Sequence, residues 1–308
     1  MTHPGDDDRW EPLRFDMLNR KNTYAPLLVP LPLVRKLLRF YDYPDPRRPQ
    51  RVIRGYDRQH ALRTARMCAS VALKLGHDTE RVRRYQVACI LHDLGRAGLD
   101  RKLFGLIWSW AKMRGIPTRP REWRVVHPQT KYGRETEAFV ERYGRELEAA
   151  GIALDDWALE QVEMRLGYAR RLGRRLREVK PKLAEMGIRW LPWMELVMLY
   201  YYYPEKLAGA EPWIRELGEI LVACEQFEAY NNRQRGQDYY TREKEALPDA
   251  FSYLAELQQE GILSEPVVSS LWSLVAEGAF DELLEEARGR SLTRTERQLL
   301  RTMSAGSA

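Results

Sequence analysis

Cysteine, histidine and long apolar runs are scarce in this chain of 308 residues. The three cysteines, at positions 68, 89 and 224, lie in apolar helical stretches without a CxxC spacing, which favours buried free thiols over a zinc site. No apolar run reaches the roughly 18 residues of a transmembrane helix. Residues 1–8 are acidic and lack the apolar region of a signal peptide. We therefore expect a protein of the reducing cytoplasm, without a membrane span.

Strict alternation of β-branched residues is also scarce, and this argues against a sheet. From residue 57 onward, apolar residues recur at helical spacing, so the predicted fold class is all-α. Asp78 is a predicted N-cap, and Thr293 with Glu296 is a predicted capping box. Helices are predicted near 57–75, 78–93, 101–114, 129–148, 155–172, 174–186, 192–203, 211–231, 241–260, 266–277, 279–289 and 293–304.

The net charge of +6 comes mainly from arginine. Arginine clusters occur at residues 81–84 and 170–177, and the simplest interpretation is a solvated helix face. A sharper interpretation is attraction of an anionic phosphate ligand. The charge balance is too mild to predict DNA or RNA binding, and no nucleic-acid motif accompanies it.

His92 and Asp93 form the most informative pair in the chain. They end an apolar run that begins at Val87, and Gly95 follows as a predicted helix C-cap. Neighbouring side chains diverge on a helix, but where a helix ends an imidazole and a carboxylate can reach one metal ion. These donors suit Fe, Mn, Zn or Ni. The alternative is an ion pair between Asp93 and His92 at an ordinary helix end.

The other four histidines differ in their surroundings. His3 lies in the polar N-terminal tail and His77 in a predicted exposed turn, whereas His60 opens a helical pattern and His127 lies beside one. The last two also have ordinary interpretations. His60 could be a hydrogen-bonded histidine near a helix start, and His127 could precede a helix that begins at residue 128.

Several blocks of sequence resemble the HD superfamily of metal-dependent phosphohydrolases. Residues 57–103 are most similar to its HD-GYP branch, which cleaves cyclic di-GMP. The blocks are His60-Ala-Leu-Arg63, Ile90-Leu-His-Asp-Leu-Gly-Arg-Ala-Gly-Leu99, His127-Pro128 and the stretch Ile220 to Arg235. The last block resembles the segment that carries the branch's final metal-binding acid and a phosphate-contacting arginine. The resemblance implies an HD-domain-like multi-helix bundle around a central metal site.

The resemblance also suggests how the chain is divided. It covers residues 55–275, which we expect to form the main helical domain. The stretch 149–190 matches least and is expected to be an inserted helical pair. Residues 1–54 are rich in proline and are expected to be a partly irregular extension with a short helix. Residues 276–308 are expected to form C-terminal helices and a tail.

Several positions depart from the family's pattern. Tyr203 and Pro204 stand where the branch has paired histidines, Glu225 stands where it has an aspartate, and the Gly-Tyr-Pro signature is absent. Proline has no ligating side chain, and tyrosine is a poor ligand because its phenol titrates near pH ~10. We therefore expect one well-bound divalent ion (Fe, Mn, Ni or Zn) and a second ion that is weakly bound or missing.

The resemblance implies a role for each candidate site residue. Besides binding the metal ion, Asp93 would orient or deprotonate the attacking water. Arg96 is the candidate catalytic cation, with Arg63 and Arg235 as candidate substrate-binding groups, since guanidinium binds phosphate oxygens. A surface or ion-pair role is the alternative for the three arginines, and a salt bridge is the alternative for Glu225. The implied metal ligands come from distant stretches of chain: His60, His92, Asp93, His127 and Glu225.

Together, these features predict a metal-dependent phosphohydrolase that acts on a phosphodiester or nucleotide, with cyclic di-GMP as one candidate. The alternative is a catalytically weak or inactive HD-GYP-like module that binds a nucleotide or a partner protein for signalling. The absent histidine pair favours that alternative, because two metal ions contribute much of such catalysis. A third hypothesis, a di-iron oxygenase of the HD type, needs two well-bound irons. The expected partner is a phosphate-containing small molecule such as a cyclic dinucleotide.

Overall fold

The computed structural model describes residues 25–45, 48–55, 57–232 and 247–306. In these ranges the protein is all-α, as the sequence predicts, with 14 α-helices. The helices are α1 (Leu31–Leu38), α2 (Arg58–Lys74), α3 (Thr79–Ile90), α4 (Arg101–Met113), α5 (Pro120–Val126), α6 (Glu135–Ala149), α7 (Asp156–Leu166), α8 (Tyr168–Glu185), α9 (Pro192–Leu199), α10 (Pro212–Asn231), α11 (Leu247–Gln259), α12 (Glu265–Ala276), α13 (Asp281–Arg288) and α14 (Arg294–Gly306). None of these helices combines the length and the apolar character that a membrane crossing needs.

A small antiparallel sheet contradicts the prediction that the chain has none. Its strands are β1 (Tyr43–Asp45) and β2 (Arg48–Ile53), and Tyr43 pairs with Ile53. Both strands are edge strands, where a proline such as Pro44 is tolerated although it lacks a backbone N–H. The prolines that predicted irregular structure here are therefore compatible with a short strand pair.

Two predicted helix starts are confirmed. The Asp78 carboxylate accepts a hydrogen bond from the Arg81 amide at 2.9 Å, as an N-cap does. Thr293 and Glu296 form the predicted capping box before α14. The Glu296 carboxylate accepts from the Thr293 amide at 2.9 Å, and the Thr293 hydroxyl accepts from the Glu296 amide at 3.1 Å.

The stretch between α4 and α6 differs from its prediction. It contains α5, which the predicted helices omit, and α6 begins at Glu135 instead of residue 129. Pro120 is the first residue of α5, where its missing amide costs no hydrogen bond. His127 therefore follows a helix as its C-cap residue and does not precede one.

Two apolar clusters form the core. The larger one includes α2, α3 and α8 to α14, and it also takes Val34 from α1. The smaller one joins α4 to α7, with Trp123 and Phe139 among its buried members. The stretch 149–190 is split between them, since α7 belongs to the smaller cluster and α8 to the larger. The proposed division of the chain at residues 54 and 275 stays a prediction.

Helix α2 is the central helix of the larger cluster. Every residue from His60 to Ala72 is buried, and the helix packs against α3 and α10. Ala61, Ala65 and Ala69 recur every fourth position, so they lie on one side of α2, and small side chains let neighbouring helices approach closely. This packing brings the first turn of α2 next to the end of α3 and to α10.

Arg171, in the arginine cluster of residues 170–177, is buried and not solvated. It is 1% exposed, and its guanidinium donates to the carbonyl oxygens of Gly95 at 2.7 Å and Ala97 at 2.6 Å. The prediction of a solvated helix face is therefore wrong for this residue. Arg171 instead ties α8 to the turn that follows Asp93.

Candidate metal centre

The side chains of His60, His92 and Asp93 converge in the interior. Each offers one potential ligand atom, and these atoms lie within 4.8 Å of one another. The Oδ2 atom of Asp93 lies 3.7 Å from His60 Nε2 and 3.8 Å from His92 Nε2. The three residues are 2%, 5% and 4% exposed. No other group of three or more His, Cys, Asp or Glu side chains in the described ranges is this close.

The chain turn after α3 presents His92 and Asp93 together. Helix α3 ends at Ile90, and a 3₁₀ turn follows at Leu94–Arg96, so neighbouring side chains are not forced apart as they are within a helix. Gly95 is not the C-cap of α3, because Leu91 holds that position. A Cβ atom at Gly95 would lie 2.6 Å from the Tyr168 ring. The glycine therefore permits close packing of this turn.

Two buried phenols hold the same turn. The Tyr41 hydroxyl donates to the Ile90 carbonyl at 2.9 Å and accepts from the Asp93 amide at 3.3 Å. The Tyr168 hydroxyl donates to the His92 carbonyl. Burial and then the nearby Asp93 charge raise the pKa of both phenols well above the usual value. Both hydroxyls therefore keep the proton that they donate.

His92 is oriented by its own helix. Its Nδ1 atom donates to the Cys89 carbonyl oxygen at 2.8 Å, which leaves the lone pair on Nε2. That Nε2 atom is buried and has no hydrogen-bond partner among the described residues. A buried imidazole nitrogen without a partner costs free energy, and a metal ion would satisfy it.

His60 is oriented by Glu228, a residue that the sequence analysis did not identify. His60 Nδ1 is hydrogen-bonded to Glu228 Oε2, and Glu228 is completely buried on α10. A carboxylate behind a histidine is the usual partner of a metal-binding imidazole, because it sets the tautomer and the ring orientation. The available signal was the spacing of Glu225 and Glu228, which puts both on one helix face.

Arg63 has a different partner from the one expected. The Nε and Nη2 atoms lie 2.7 and 2.6 Å from Glu228 Oε1, and the side chain is 3% exposed. The ion-pair interpretation of Arg63 therefore fits better than substrate binding. Its positive charge compensates the buried Glu228 carboxylate, which also holds His60.

Glu225 lies near the group but outside it. Its Oε1 atom is 3.9 Å from His60 Nε2, and its other carboxylate oxygen accepts from the Gln226 side chain. Glu225 is also more exposed than the three converging residues. Metal binding by Glu225 therefore stays a prediction.

Arg96 lies directly beside the group. Its Nη1 atom is 3.3 Å from Asp93 Oδ2, and its Nη2 atom donates to the Tyr202 hydroxyl at 3.5 Å. The side chain is buried, so its charge interactions are poorly screened. Arg96 thus places a cation at the edge of the group.

His127 is not brought into the group. Its ring lies 4.3 Å from the Trp123 ring, centroid to centroid. Burial and then the positive charge of Arg142 lower the pKa of His127 below its usual value. The sequence-based metal assignment for His127 therefore lacks the convergence that His60, His92 and Asp93 have.

The tyrosine at position 203 is a poor metal ligand in this structure. Tyr203 is buried, and burial followed by the Glu135 charge raises the pKa of its phenol. A phenol that keeps its proton binds a divalent ion weakly, and Pro204 has no ligating group. Arg235, the remaining candidate, lies outside the described residues.

The donor set fits a divalent ion. Two neutral imidazole nitrogens and one carboxylate oxygen suit Fe, Mn, Zn or Ni, and the ring nitrogens opposite the group are bonded to Cys89 and Glu228. Asp93, His60 and His92 would hold such an ion.

Comparison with known proteins agrees with this geometry. Residues 58–117 match the family model of the HD domain. The matched region contains His60, His92, Asp93 and Arg96 and ends before His127 and α10. No curated protein and no solved structure matches the chain. This match and the buried group together suggest a metal-dependent hydrolase.

Proposed function

We propose that this chain is a metal-dependent phosphohydrolase that acts on a phosphodiester or a nucleotide. The observation that carries the proposal is the convergence of His60, His92 and Asp93 in the buried interior. Each imidazole has its far nitrogen bonded, to Glu228 or to the Cys89 carbonyl. This arrangement presents two lone pairs and one carboxylate to a common point, as a metal-binding group requires.

The chemistry divides between a bound ion and the chain's own groups. A divalent ion held here would lower the pKa of a water molecule and polarise a phosphoryl oxygen. Asp93 has its Oδ2 atom between both imidazoles and can accept the proton of an attacking water or orient it. The burial of the group keeps bulk water out and strengthens the charge interactions within it.

Arg96 supplies positive charge where a phosphoryl group would bind. It contacts the Asp93 carboxylate, and guanidinium can bind two phosphate oxygens at once while it stays protonated. We assign Arg96 to holding the phosphoryl group next to Asp93. In the resembling HD-GYP branch a lysine stands at this position.

A module that binds a nucleotide without turnover is the second candidate. In the described ranges a single cluster of potential ligands is found, and neither His127 nor Tyr203 belongs to it. Two ions that stabilise both the attacking and the leaving oxygen contribute much of phosphodiester hydrolysis. One ligand group therefore favours slow turnover or binding alone. It also argues against a di-iron oxygenase.

The test measures metal content and turnover on the same samples. Protein purified without chelator is analysed for Fe, Mn, Ni and Zn, and bis-p-nitrophenyl phosphate and cyclic di-GMP are offered as substrates. We expect one ion per chain and hydrolysis, with both lost in His92→Ala and Asp93→Asn. Normal metal content in both variants would refute the proposed site.

His77→Ala is the matched control. His77 is buried, contrary to the predicted exposed turn, and it bonds Glu216 at 2.6 Å. Its loss should leave metal content unchanged. In the wild-type protein, one ion without hydrolysis of either phosphodiester would select the nucleotide-binding module. Two irons per chain would instead support the oxygenase.

A further inference from the structure

A cavity of about 400 Å³ lies beside the metal centre, between α5, α11 and residues 201–202, which follow α9. Tyr201, Tyr202, Tyr253 and Arg119 line it. Its volume is within the usual range for small-molecule sites, which combine apolar walls with a few polar groups. The proposed reaction assigns no task to this cavity.

Hydrogen bonds to their hydroxyl groups hold two of the tyrosine side chains that line the cavity. The hydroxyls of Tyr201 and Tyr253 share a hydrogen bond of 2.6 Å, and Arg119 Nη1 donates to the Tyr253 hydroxyl at 3.0 Å. The guanidinium carbon of Arg119 lies 5.6 Å from the centroid of the Tyr201 ring. Aromatic rings and an arginine held in this way offer flat surfaces on which nucleobases stack.

Tyr202 connects this cavity to the metal centre. It lines the cavity, and its hydroxyl accepts from Arg96 Nη2 at 3.5 Å. The Nη1 atom of the same guanidinium contacts Asp93 at 3.3 Å. A single side chain, Arg96, therefore spans the distance between the candidate phosphate position and the aromatic wall.

The charges at the rim favour a neutral group over a phosphate. Three carboxylates, from Glu122, Glu256 and Glu260, line the cavity against two arginines. Both arginines are paired, Arg121 with Glu260 at 3.1 Å and Arg119 with Glu122 at 3.7 Å. An anion would be repelled by the remaining carboxylate, whereas the N–H groups on the edge of a nucleobase can donate to it.

We infer that this cavity binds the base of a nucleotide whose phosphate lies at Arg96 and Asp93. The inference rests on the proposed function and narrows its substrate class to nucleotides. The base stacks on the sides of Tyr201 and Tyr253 that face the cavity, while Tyr202 separates it from the metal centre. Phosphoesters without an aromatic base fill only the phosphate position.

The test compares ligands that differ only in the base. Guanosine 5′-monophosphate, uridine 5′-monophosphate and their base-free counterpart ribose 5-phosphate are titrated calorimetrically into the Mn-loaded protein. Base stacking on aromatic side chains is expected to tighten binding about 10- to 100-fold. Tyr253→Leu should remove this advantage and leave ribose 5-phosphate binding unchanged. Tyr253→Phe, which keeps the ring, should retain most of it.

The outcomes separate this inference from the proposed reaction. Equal affinities for all three ligands in the wild-type protein would overturn the base site, even if bis-p-nitrophenyl phosphate is hydrolysed. Tighter binding of both nucleotides that Tyr253→Leu abolishes would support the base site, even if no phosphodiester is hydrolysed. Urea unfolding of each variant verifies that the fold is intact. An advantage that survives Tyr253→Leu would also overturn the assignment.

Discussion

Replacement of Glu228 by glutamine should weaken metal binding without a direct change to any proposed ligand. The Glu228 carboxylate is completely buried, holds His60 Nδ1 with one oxygen and contacts Arg63 with the other. Glutamine keeps the shape but removes the charge. The imidazole then loses the acceptor that fixes its tautomer, and the buried guanidinium loses its counter-charge.

The structure sets the expected size of both effects. Mutation of such an outer partner lowers metal affinity about 10- to 100-fold, which corresponds to about 1.4–2.8 kcal/mol. Breaking a buried ion pair costs about 3–5 kcal/mol of stability, and we expect the lower end, because glutamine still offers Arg63 an acceptor. A domain with about 5–15 kcal/mol of stability remains folded after this loss.

The assay measures the Mn²⁺ dissociation constant by calorimetry and the free energy of unfolding in urea for the metal-free protein. Glu219→Gln is the matched control, because Glu219 is a buried carboxylate on the same helix. It bonds Arg215 and the Ser264 amide, each at 2.9 Å. We expect the control to lose stability and keep its metal affinity. Unchanged affinity in Glu228→Gln, or an equal loss in both variants, would refute the reasoning.

Two further predictions concern packing and pH. Gly95→Ala should cost about 1–3 kcal/mol of stability, because its Cβ would overlap the Tyr168 ring. The control Gly173→Ala, at an open position of α8, should be neutral or stabilise the protein by up to ~1 kcal/mol. Equal urea midpoints for the two variants would contradict the prediction. The hydrogen bond from Arg290 is the main cause that holds the pKa of Glu296 at about 2, below its usual 4.5. This carboxylate therefore contributes stability above pH 4.5 that is lost as the pH falls toward 2. The difference in unfolding free energy between wild type and Glu296→Gln should therefore shrink over that range. A difference that stays constant with pH would contradict the prediction.

Local signals predict most of the helices. Caps such as Asp78 and Thr293 act through hydrogen bonds to amides three residues away, so the sequence alone contains both partners. Two of the failures fall where the signal is short. Helix α5 has 7 residues and strand β1 has 3, and neither is long enough for an apolar period to stand out.

The candidate site could be predicted only in part. His92 and Asp93 are recognisable because they are adjacent at a helix end, and His60 because its block resembles a known family. The spacing of Glu225 and Glu228 shows that the two share a helix face. It does not show that Glu228 is the one buried behind His60.

The sequence by itself determines that the chain is helical, where several helices begin, and that an imidazole and a carboxylate stand together after α3. These properties depend on contacts between residues a few positions apart. Only the tertiary structure decides that Glu228 joins His60 and that Arg63 pairs with Glu228. These choices depend on how α2, α3 and α10 pack, and the partners lie too far apart in the chain for a local pattern to identify them.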